Sequence, residues 1–341
     1  MRFCWFGASG RLLCVADYNV TGVDFRTVLP RPPVRGVVVD FHTHLHARRH
    51  AGVWFDCAKH FGIDCFVTMT PLEEALILQR EYADRLHFIA IPRWGAWEGN
   101  WIDEWLRRIE AFYNLGSRIA KLHLAPQTMV KIGRTLDDPV IRRVVKEIAD
   151  RGMIIMTHIG DPETWYAGRY AEDVNRYGTR EQHYQMWERA LNDFAGHPWL
   201  GAHLGGNPED LHRLQGLLDR HADLYLDMSA TKWMVREVSS RRDAMRDFVI
   251  RNVDRLVWGS DQVSYDDRSW DFYASRWWCH RKLWETANQT RSPIADPDAS
   301  EGGSPMLRGL ALPDEVLEKI YHDNAMRLLG RVGARVGAGG G

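Results

Sequence analysis

The chain has 341 residues, more than an average single domain but comfortable for one α/β barrel of ~250 residues with insertions. Hydrophobic residues make up 45% and charged residues 26%, the balance of a globular protein. The 44 basic and 45 acidic residues leave a formal net charge of -1 and form no long run of one sign. Nothing in this balance predicts a nucleic-acid partner or an anionic membrane surface as partner.

The cysteine pattern favours a reducing compartment, and we expect a cytoplasmic protein. The cysteines are odd in number and scattered, without a CxxC pair, which argues against a disulfide framework or a structural zinc knuckle. No apolar run is long enough to span a membrane. Arg11 and Asp17 interrupt the mildly apolar first residues, so we expect no export signal.

Residues 1–35 form an N-terminal extension that ends in a proline cluster, after which short β-rich runs alternate with longer helical patterns. The strand candidates are Val37–Phe41, Cys65–Met69, His87–Ile91, Arg118–Leu124, Met153–Thr157, Trp199–His203, Leu224–Asp227 and Leu256–Ser260. The helix candidates are His50–Phe61, Pro71–Tyr82, Trp101–Asn114, Pro139–Asp150, Arg180–Ala195, Pro208–His221, Arg241–Asn252 and Pro313–Leu329.

Strand–helix units in this number and order predict a single-domain (β/α)₈ TIM barrel with a parallel sheet. A doubly wound open sheet is the alternative, but its first strand usually leads into a glycine-rich phosphate turn, and here it leads into His42-Thr43-His44. We expect the barrel over residues 36–330, with an insertion at 264–312 that forms a long loop after strand eight. Residues 331–341 are expected to be a flexible tail.

Residues with metal-ligand chemistry follow the predicted strand ends, where barrel enzymes carry their active sites. They are His42 and His44 after strand one, Lys121 and His123 in strand four, His158 after strand five, His203 after strand six and Asp261 after strand eight. In a strand, residues i and i+2 point to the same face, so both histidines of the first strand project together. Imidazole and carboxylate ligands suit zinc and similar metals. Each residue alone has an ordinary explanation, such as a buried histidine or a turn-capping aspartate, but their joint placement predicts a metal site.

Several segments resemble the amidohydrolase superfamily, and within it the amidohydrolase-related branch that includes aminocarboxymuconate-semialdehyde decarboxylase and the resorcylate decarboxylases. The resemblance covers about residues 36–330, nearly the whole chain. The matching segments are VVVDFHTHLH, KLHLAP, MTHIGDP, HPWLGAHLGGNPEDL, LYLDMSA, RLVWGSDQ and YHDNAMRLLG.

The resemblance implies that His42, His44, His158 and Asp261 bind a divalent metal, most often zinc, with manganese, iron and cobalt as alternatives. It implies that His203 acts beside the metal as a general acid or base and that Asp261 also moves a proton.

Lys121 leaves the number of ions open. In two-metal members of the superfamily, a carboxylated lysine on strand four bridges the metals, and His158 and His203 bind the second ion. The branch that the chain resembles most uses one ion, which we favour. His123 shares the face of Lys121, so it would contact the metal or one of its ligands.

Substrate contacts are predicted from residues just past the strand ends. Arg93 and Arg48 could each hold a substrate carboxylate, with a surface salt bridge as the equal alternative. Trp94, Trp165 and Trp233 could form an aromatic wall, although such residues are more often loop packing.

Three functions remain open from the sequence. The first is hydrolysis of a small organic substrate, aromatic or carboxylate-bearing, by a metal-activated water. The second is non-oxidative, metal-dependent decarboxylation of the aminocarboxymuconate-semialdehyde decarboxylase type. The third is a metal-binding barrel without catalysis, against which the full set of ligands argues. The resemblance also implies a homodimer.

Overall fold

The structure, a computed structural model, describes residues 2–6, 12–299 and 303–333; most of the predicted flexible tail, from residue 334 onward, lies outside this range. The strands are β1 (Arg2–Phe6), β2 (Leu12–Ala16), β3 (Val39–His44), β4 (Cys65–Met69), β5 (Leu86–Ala90), β6 (Ile119–His123), β7 (Ile154–His158), β8 (Trp199–Gly201), β9 (Leu224–Asp227), β10 (Leu256–Val257), β11 (Gln262–Val263), β12 (Gln289–Arg291) and β13 (Met306–Arg308).

The α-helices are Ala51–His60, Leu72–Tyr82, Trp101–Asn114, Pro126–Ile132, Pro139–Asp150, Glu163–Ala167, Val174–Tyr177, Arg180–Asp193, Leu211–Arg220, Lys232–Ser240, Arg242–Arg251, Trp270–Glu285, Asp314–Glu318 and Asn324–Arg331. A π-helical turn, Lys319–Asp323, joins the last two. Among the described residues, no helix is long and apolar enough to cross a membrane.

Strands β3 to β11 form one parallel sheet that closes on itself, which confirms the TIM barrel. Neighbouring strands follow the chain order from β3 to β10, and β11 returns to pair with β3. The eighth barrel strand is therefore split: β10 pairs with β9, while β11 pairs with β3, its Gln262 opposite Thr43. This register sets Asp261 level with His42, because each residue directly precedes one of that pair.

The barrel strands form because their residues are apolar on both faces. Every residue of β4 and of β9 is buried, as expected for parallel strands that face the barrel interior on one side and helices on the other. The outer helices begin at defined caps. Asp138 accepts the backbone N–H of Val140, and Thr179 and Gln182 form a reciprocal capping box.

The expected long loop at 264–312 is wrong in its main part. The segment contains the helix Trp270–Glu285 and the antiparallel pair β12–β13. The polar residues of this helix made the segment resemble a loop in the sequence, but its aromatic side chains, among them Trp277 and Trp284, are buried. Trp277 packs against Trp54, with ring centroids 5.4 Å apart, so the insertion belongs to the barrel wall.

The N-terminal extension packs against this same insertion. The backbone N–H of Val20 donates to Pro293 and that of Ala295 donates to Asp17, both at 2.8 Å. The Phe25 ring is buried and meets the edge of Trp278. The N-terminal extension and the insertion therefore lie together on one side of the barrel.

Candidate metal centre

Three side chains converge at the carboxyl ends of the barrel strands. His42, His203 and Asp261 each place one ligand atom so that all of these atoms lie within 4.8 Å of one another. His44 joins them, because its Nε2 lies 3.1 Å from Asp261 Oδ1, an oxygen that lies 3.5 Å from His42 Nε2. Asp261 is 29% exposed, so a bound molecule can reach the cluster from solvent.

The split in strand eight brings Asp261 to this place. Its backbone N–H donates to the carbonyl of His42 at 2.8 Å, and its φ of 56° lies in the left-handed region. Gly259 allows the close approach, since a Cβ there would lie 2.7 Å from the Cβ of His42. The chain thus leaves the strand ladder and aims the Asp261 carboxylate at the histidines.

His203 is also held in an uncommon backbone conformation. His203 and Leu204 have φ values of 58° and 51°, which residues with a side chain rarely adopt. Gly206 follows at φ 73°, where a Cβ would lie 2.1 Å from the carbonyl oxygen of Gly160. Such strain persists where the surrounding structure enforces it, often at functional sites.

Asp227 and Ser229 hold the two central histidines from behind. Asp227 Oδ2 lies 2.9 Å from His42 Nδ1, and its Oδ1 accepts the backbone N–H of His203 at 2.9 Å. The Ser229 hydroxyl donates to Asp227 and lies 2.8 Å from His203 Nδ1. With the serine hydrogen engaged, each histidine donates its Nδ1–H, which leaves Nε2 as a lone pair facing the cluster.

Electrostatics keeps these groups in the forms that a cation requires. Burial, followed by the nearby charge of Lys121, lowers the pKa of His42, and burial lowers that of His203 well below its usual range. Although burial opposes it, His42 holds the pKa of Asp227 below its ordinary value, through the charge that the ring carries when protonated and through its hydrogen bond. At neutral pH, His42 and His203 are therefore neutral, and Asp227 and Asp261 are ionised.

The comparisons with known proteins agree with this arrangement. The amidohydrolase family model matches residues 31–331. The chain belongs to the amidohydrolase family. No protein of curated function matches its sequence.

The chain is similar to several solved structures at low sequence identity. A 2,6-dihydroxybenzoate decarboxylase from Rhizobium is 11% identical, with a TM-score of 0.51 over 86% of this chain and 98% of that chain. A 4-oxalomesaconate hydratase from Rhodopseudomonas palustris is 13% identical, with a TM-score of 0.49 over 87% and 96%. A 5-carboxyvanillate decarboxylase from Sphingomonas paucimobilis is 11% identical, with a TM-score of 0.48 over 86% and 98%.

Members of the amidohydrolase family are generally divalent-metal enzymes, and the residues of this chain fit such an ion. His42, His203 and Asp261 supply two imidazoles and a carboxylate, a donor set that suits zinc and its neighbours. Lys121 lies within electrostatic reach of His42, Asp227 and Asp261. Its amine is buried without a hydrogen-bond partner in the described part of the chain, and burial lowers its pKa to about 8.

His158 and His123 lie beside the cluster rather than at its centre. The His158 ring lies 4.6 Å from His203 and 4.6 Å from His123. His158 Nε2 meets Asp161 Oδ1 at 3.1 Å, and Asp161 in turn accepts the Tyr170 hydroxyl at 2.6 Å. His158 therefore reaches the cluster only through its other nitrogen or after a ring rotation.

The substrate-binding candidates from the sequence separate into two groups. Arg93 and Arg48 lie in exposed ion pairs, Arg93 3.9 Å from Glu104 and Arg48 3.1 Å from Glu81. These positions match the salt-bridge alternative.

Two of the three tryptophans lie next to the row of histidines. The Trp233 ring is 5.7 Å from His203, and the Trp94 ring is 5.5 Å from His123. The third, Trp165, donates its indole N–H to Asp298 at 2.6 Å.

The sequence did not reveal a set of neighbouring cations, which we call the cationic group: Lys232, Arg268 and Arg276. The guanidinium carbons of Arg276 and Arg268 lie 3.6 and 4.5 Å from the centre of the same Phe272 ring. Burial, and then the charge of Arg276, lowers the pKa of Lys232. The charges of Asp17 and Asp261 also act on Arg276, so acidic groups lie within electrostatic reach of these cations.

Asp40 is the second group without an assigned role from the sequence. Asp40 is fully buried and lies two residues before His42 on β3. Its carboxylate accepts the Ser260 backbone N–H at 2.8 Å and the Trp277 indole N–H at 2.9 Å. Burial raises its pKa to about 7. Asp40 therefore ties strand one to the split strand and to the insertion helix. Its place in VVVDFHTHLH was visible, but its burial was not.

Proposed function

We propose that this protein is a divalent-metal-dependent hydrolase acting on a small organic substrate that carries a carboxylate group. The observation that carries the proposal is the convergence of His42, His203 and Asp261 within 4.8 Å at the carboxyl end of the barrel. These groups can bind a cation and also leave a partly exposed carboxylate to move a proton.

His42, His44, His203 and Asp261 would hold the ion, with His158 joining after its ring turns from Asp161. We favour zinc, and one ion over two. Three donors already converge on a single point, whereas the amine of Lys121 could bridge a second ion only after carboxylation. Measuring metal per chain by mass spectrometry tests this choice, and two ions per chain would contradict it.

When bound, a divalent cation polarises a carbonyl group and lowers the pKa of a water molecule toward neutrality. Asp261 is ionised and partly exposed, so it accepts the proton of the attacking water. Asp261 would then pass this proton to the leaving group, while His203 stays neutral beside it. Asp227 and Ser229 keep His203 oriented throughout.

The cationic group supports the choice of a carboxylate-bearing substrate. The charges of Arg276 and Lys232 act on each other, and a substrate anion would add to Asp17 in offsetting them. Arg276 is held in place by Phe272, whose carbonyl accepts its Nη1 at 3.1 Å. A guanidinium that is held in position recognises a carboxylate with good geometry.

Decarboxylation is the second candidate, and the cationic group favours it as well, because that reaction also needs a site for a substrate carboxylate.

The protein loaded with zinc should be screened on aromatic lactones, esters and amides that carry a carboxylate, in water labelled with oxygen-18. We expect label in the product, and we expect Asp261→Asn to abolish turnover.

Asp266→Asn is the matched control, since Asp266 lies on the same segment and pairs with Arg49. Release of carbon dioxide without label in the product would replace hydrolysis with decarboxylation. A homodimer stays a prediction of the resemblance, and sedimentation velocity measures it directly.

A further inference from the structure

A large cavity lies at the opposite end of the barrel from the metal centre. Its volume is about 1290 Å³, and its lining includes Val37, which precedes β3, and Cys65 and His87, which lie at the starts of β4 and β5. The metal centre lies past the other end of β3, roughly 20 Å away at a strand rise of about 3.3 Å per residue. We call the cavity lined by Val37, Cys65 and His87 the lower cavity.

The lower cavity is large enough for an organic molecule rather than a single ion, since ligand sites commonly occupy about 300–1,000 Å³. Part of its wall is apolar and includes Leu29, Phe55, Ile63 and Met326. Such a surface can hold the carbon skeleton of a ligand.

The charged part of the wall is mainly basic. It contains Arg31, Arg35, Lys59, Arg85 and Arg281, against the acids Asp64 and Asp84. Three histidines, His60, His87 and His322, add further polar groups. The lining therefore carries more positive than negative charge at neutral pH.

Some of these cations are already paired within the protein. Arg281 is almost fully buried and binds Glu285 through two nitrogens at 2.7 Å. Arg31 lies 3.1 Å from the Asp64 carboxylate. Arg85 donates to the Asp64 backbone carbonyl at 3.1 Å and packs over Phe55.

Arg35 and Lys59 are different. Both line the cavity, and neither side chain forms an ion pair within the described ranges of the chain, although the Glu318 carboxylate accepts the backbone N–H of Arg35 at 2.9 Å. His87 is half-buried, and burial lowers its pKa, so its imidazole is neutral and can donate or accept a hydrogen bond. The cavity thus offers two uncommitted cations and a neutral polar group beside an apolar wall.

We propose that the lower cavity binds a small organic molecule that carries multiply charged oxyanion groups, phosphate or several carboxylates. Arg35 and Lys59 bind the anionic groups, and the apolar wall packs against the skeleton. Guanidinium and ammonium groups are the usual partners of phosphate and carboxylate. This site is separate from the metal centre, and the proposal does not depend on the proposed reaction.

Calorimetric titration of the full-length, metal-loaded protein with pyrophosphate, and separately with citrate, tests the proposal. We expect saturable binding of at least one probe at one site per chain. The double variant Arg35→Gln with Lys59→Gln should bind that probe at least tenfold more weakly. Both side chains are exposed, so the variant should keep its fold and its metal content.

The matched control is Arg107→Gln with Lys131→Gln, which removes the same charge from two other exposed positions and should bind like the parent. Absence of saturable binding of both probes would overturn the proposal. So would equal binding by parent and Arg35/Lys59 variant, which would place the anion elsewhere, for example at the metal centre.

Discussion

At the scale of single residues, Asp227 shows how a group that need not touch the metal can control its binding. It fixes the tautomer of His42 through a 2.9 Å contact and accepts the backbone N–H of His203. We expect Asp227→Asn to weaken zinc binding by roughly 10–100-fold, because a neutral amide accepts the His42 ring N–H and the His203 backbone N–H less strongly than a carboxylate does. Competition with a chromophoric chelator measures the affinity.

Asp219→Asn, on the exposed face of a helix, is the control and should bind zinc like the parent. Unchanged affinity in Asp227→Asn would show that His42 does not need this carboxylate as its partner.

Arg276 gives a prediction about substrate binding. If the cationic group holds a substrate carboxylate, Arg276→Met should raise KM by roughly 10–100-fold for carboxylate-bearing substrates, since a charge-assisted hydrogen bond contributes about 1.5–3 kcal/mol. Neutral analogues should be affected far less. Steady-state kinetics on matched charged and neutral substrates measure both effects, with Arg242→Met, a partner of the exposed Asp243, as control. An equal loss on both substrate types would indicate damage to packing instead.

Much of the candidate site could be predicted residue by residue, because strand ends in a barrel meet at one place. His42, His203 and Asp261 lie near the ends of their strands and converge, but His203 and Asp261 do so through positive-φ backbone that the strand pattern does not reveal. Arg276 could not be found in this way, because it lies on a helix of an insertion whose position depends on tertiary packing. The exposed pairing of Arg48 with Glu81 likewise depends on which helices become neighbours.

At the scale of elements, the insertion helix Trp270–Glu285 carries a pH-dependent part of the stability. His280 on this helix is fully buried, and burial lowers its pKa from an ordinary value of 6.5 to about 4. The unfolded chain therefore takes up this proton first as the pH falls. Stability contributed by the neutral imidazole is complete above about pH 7 and decreases as the pH falls from there toward 4.

Both proteins are compared at pH 7 and at pH 5. Over this interval, we expect the free energy of unfolding to fall by about 2 kcal/mol more in the parent than in His280→Phe, which has no imidazole to protonate. The substitution also leaves the Trp284 indole N–H without its acceptor, which lowers stability at every pH. Urea unfolding at both pH values separates the slope from this constant offset. Equal slopes in parent and variant would contradict the assignment.

Element boundaries followed the sequence most closely where strands are buried on both faces. Strands Cys65–Met69 and Leu224–Asp227 have the predicted bounds. The first strand instead runs two to three residues later, Val39–His44, because pairing with its neighbours and not local composition sets its ends. The predicted last helix is interrupted by the π-helical turn Lys319–Asp323, whose hydrogen bonding a periodic pattern does not reveal.

At the scale of the whole molecule, a cation held between strand one and strand eight would link the two edges of the barrel. Such binding stabilises the folded state by RT ln(1 + [L]/Kd), about 2.7 kcal/mol at a hundredfold excess over Kd. We expect zinc to raise the midpoint of thermal unfolding by several degrees and a chelator to reverse the shift. Differential scanning calorimetry measures this, with His42→Ala as the variant that should not respond.

A thermal shift of the same size in His42→Ala would place the stabilising ion outside the cluster. The barrel itself was predictable at this scale, because eight alternating units in order leave few other ways to bury their strands.

The split eighth strand also affects when the barrel can close during protein synthesis. His42 and Asp261 become neighbours only when Gln262 and Val263 pair with the first strand, more than two hundred residues after that strand was synthesised. While this segment is still inside the ribosome, the barrel cannot close, and His42 and Asp261 cannot come together. The proposed metal centre would thus be completed only near the end of translation, after most of the polypeptide has left the exit tunnel.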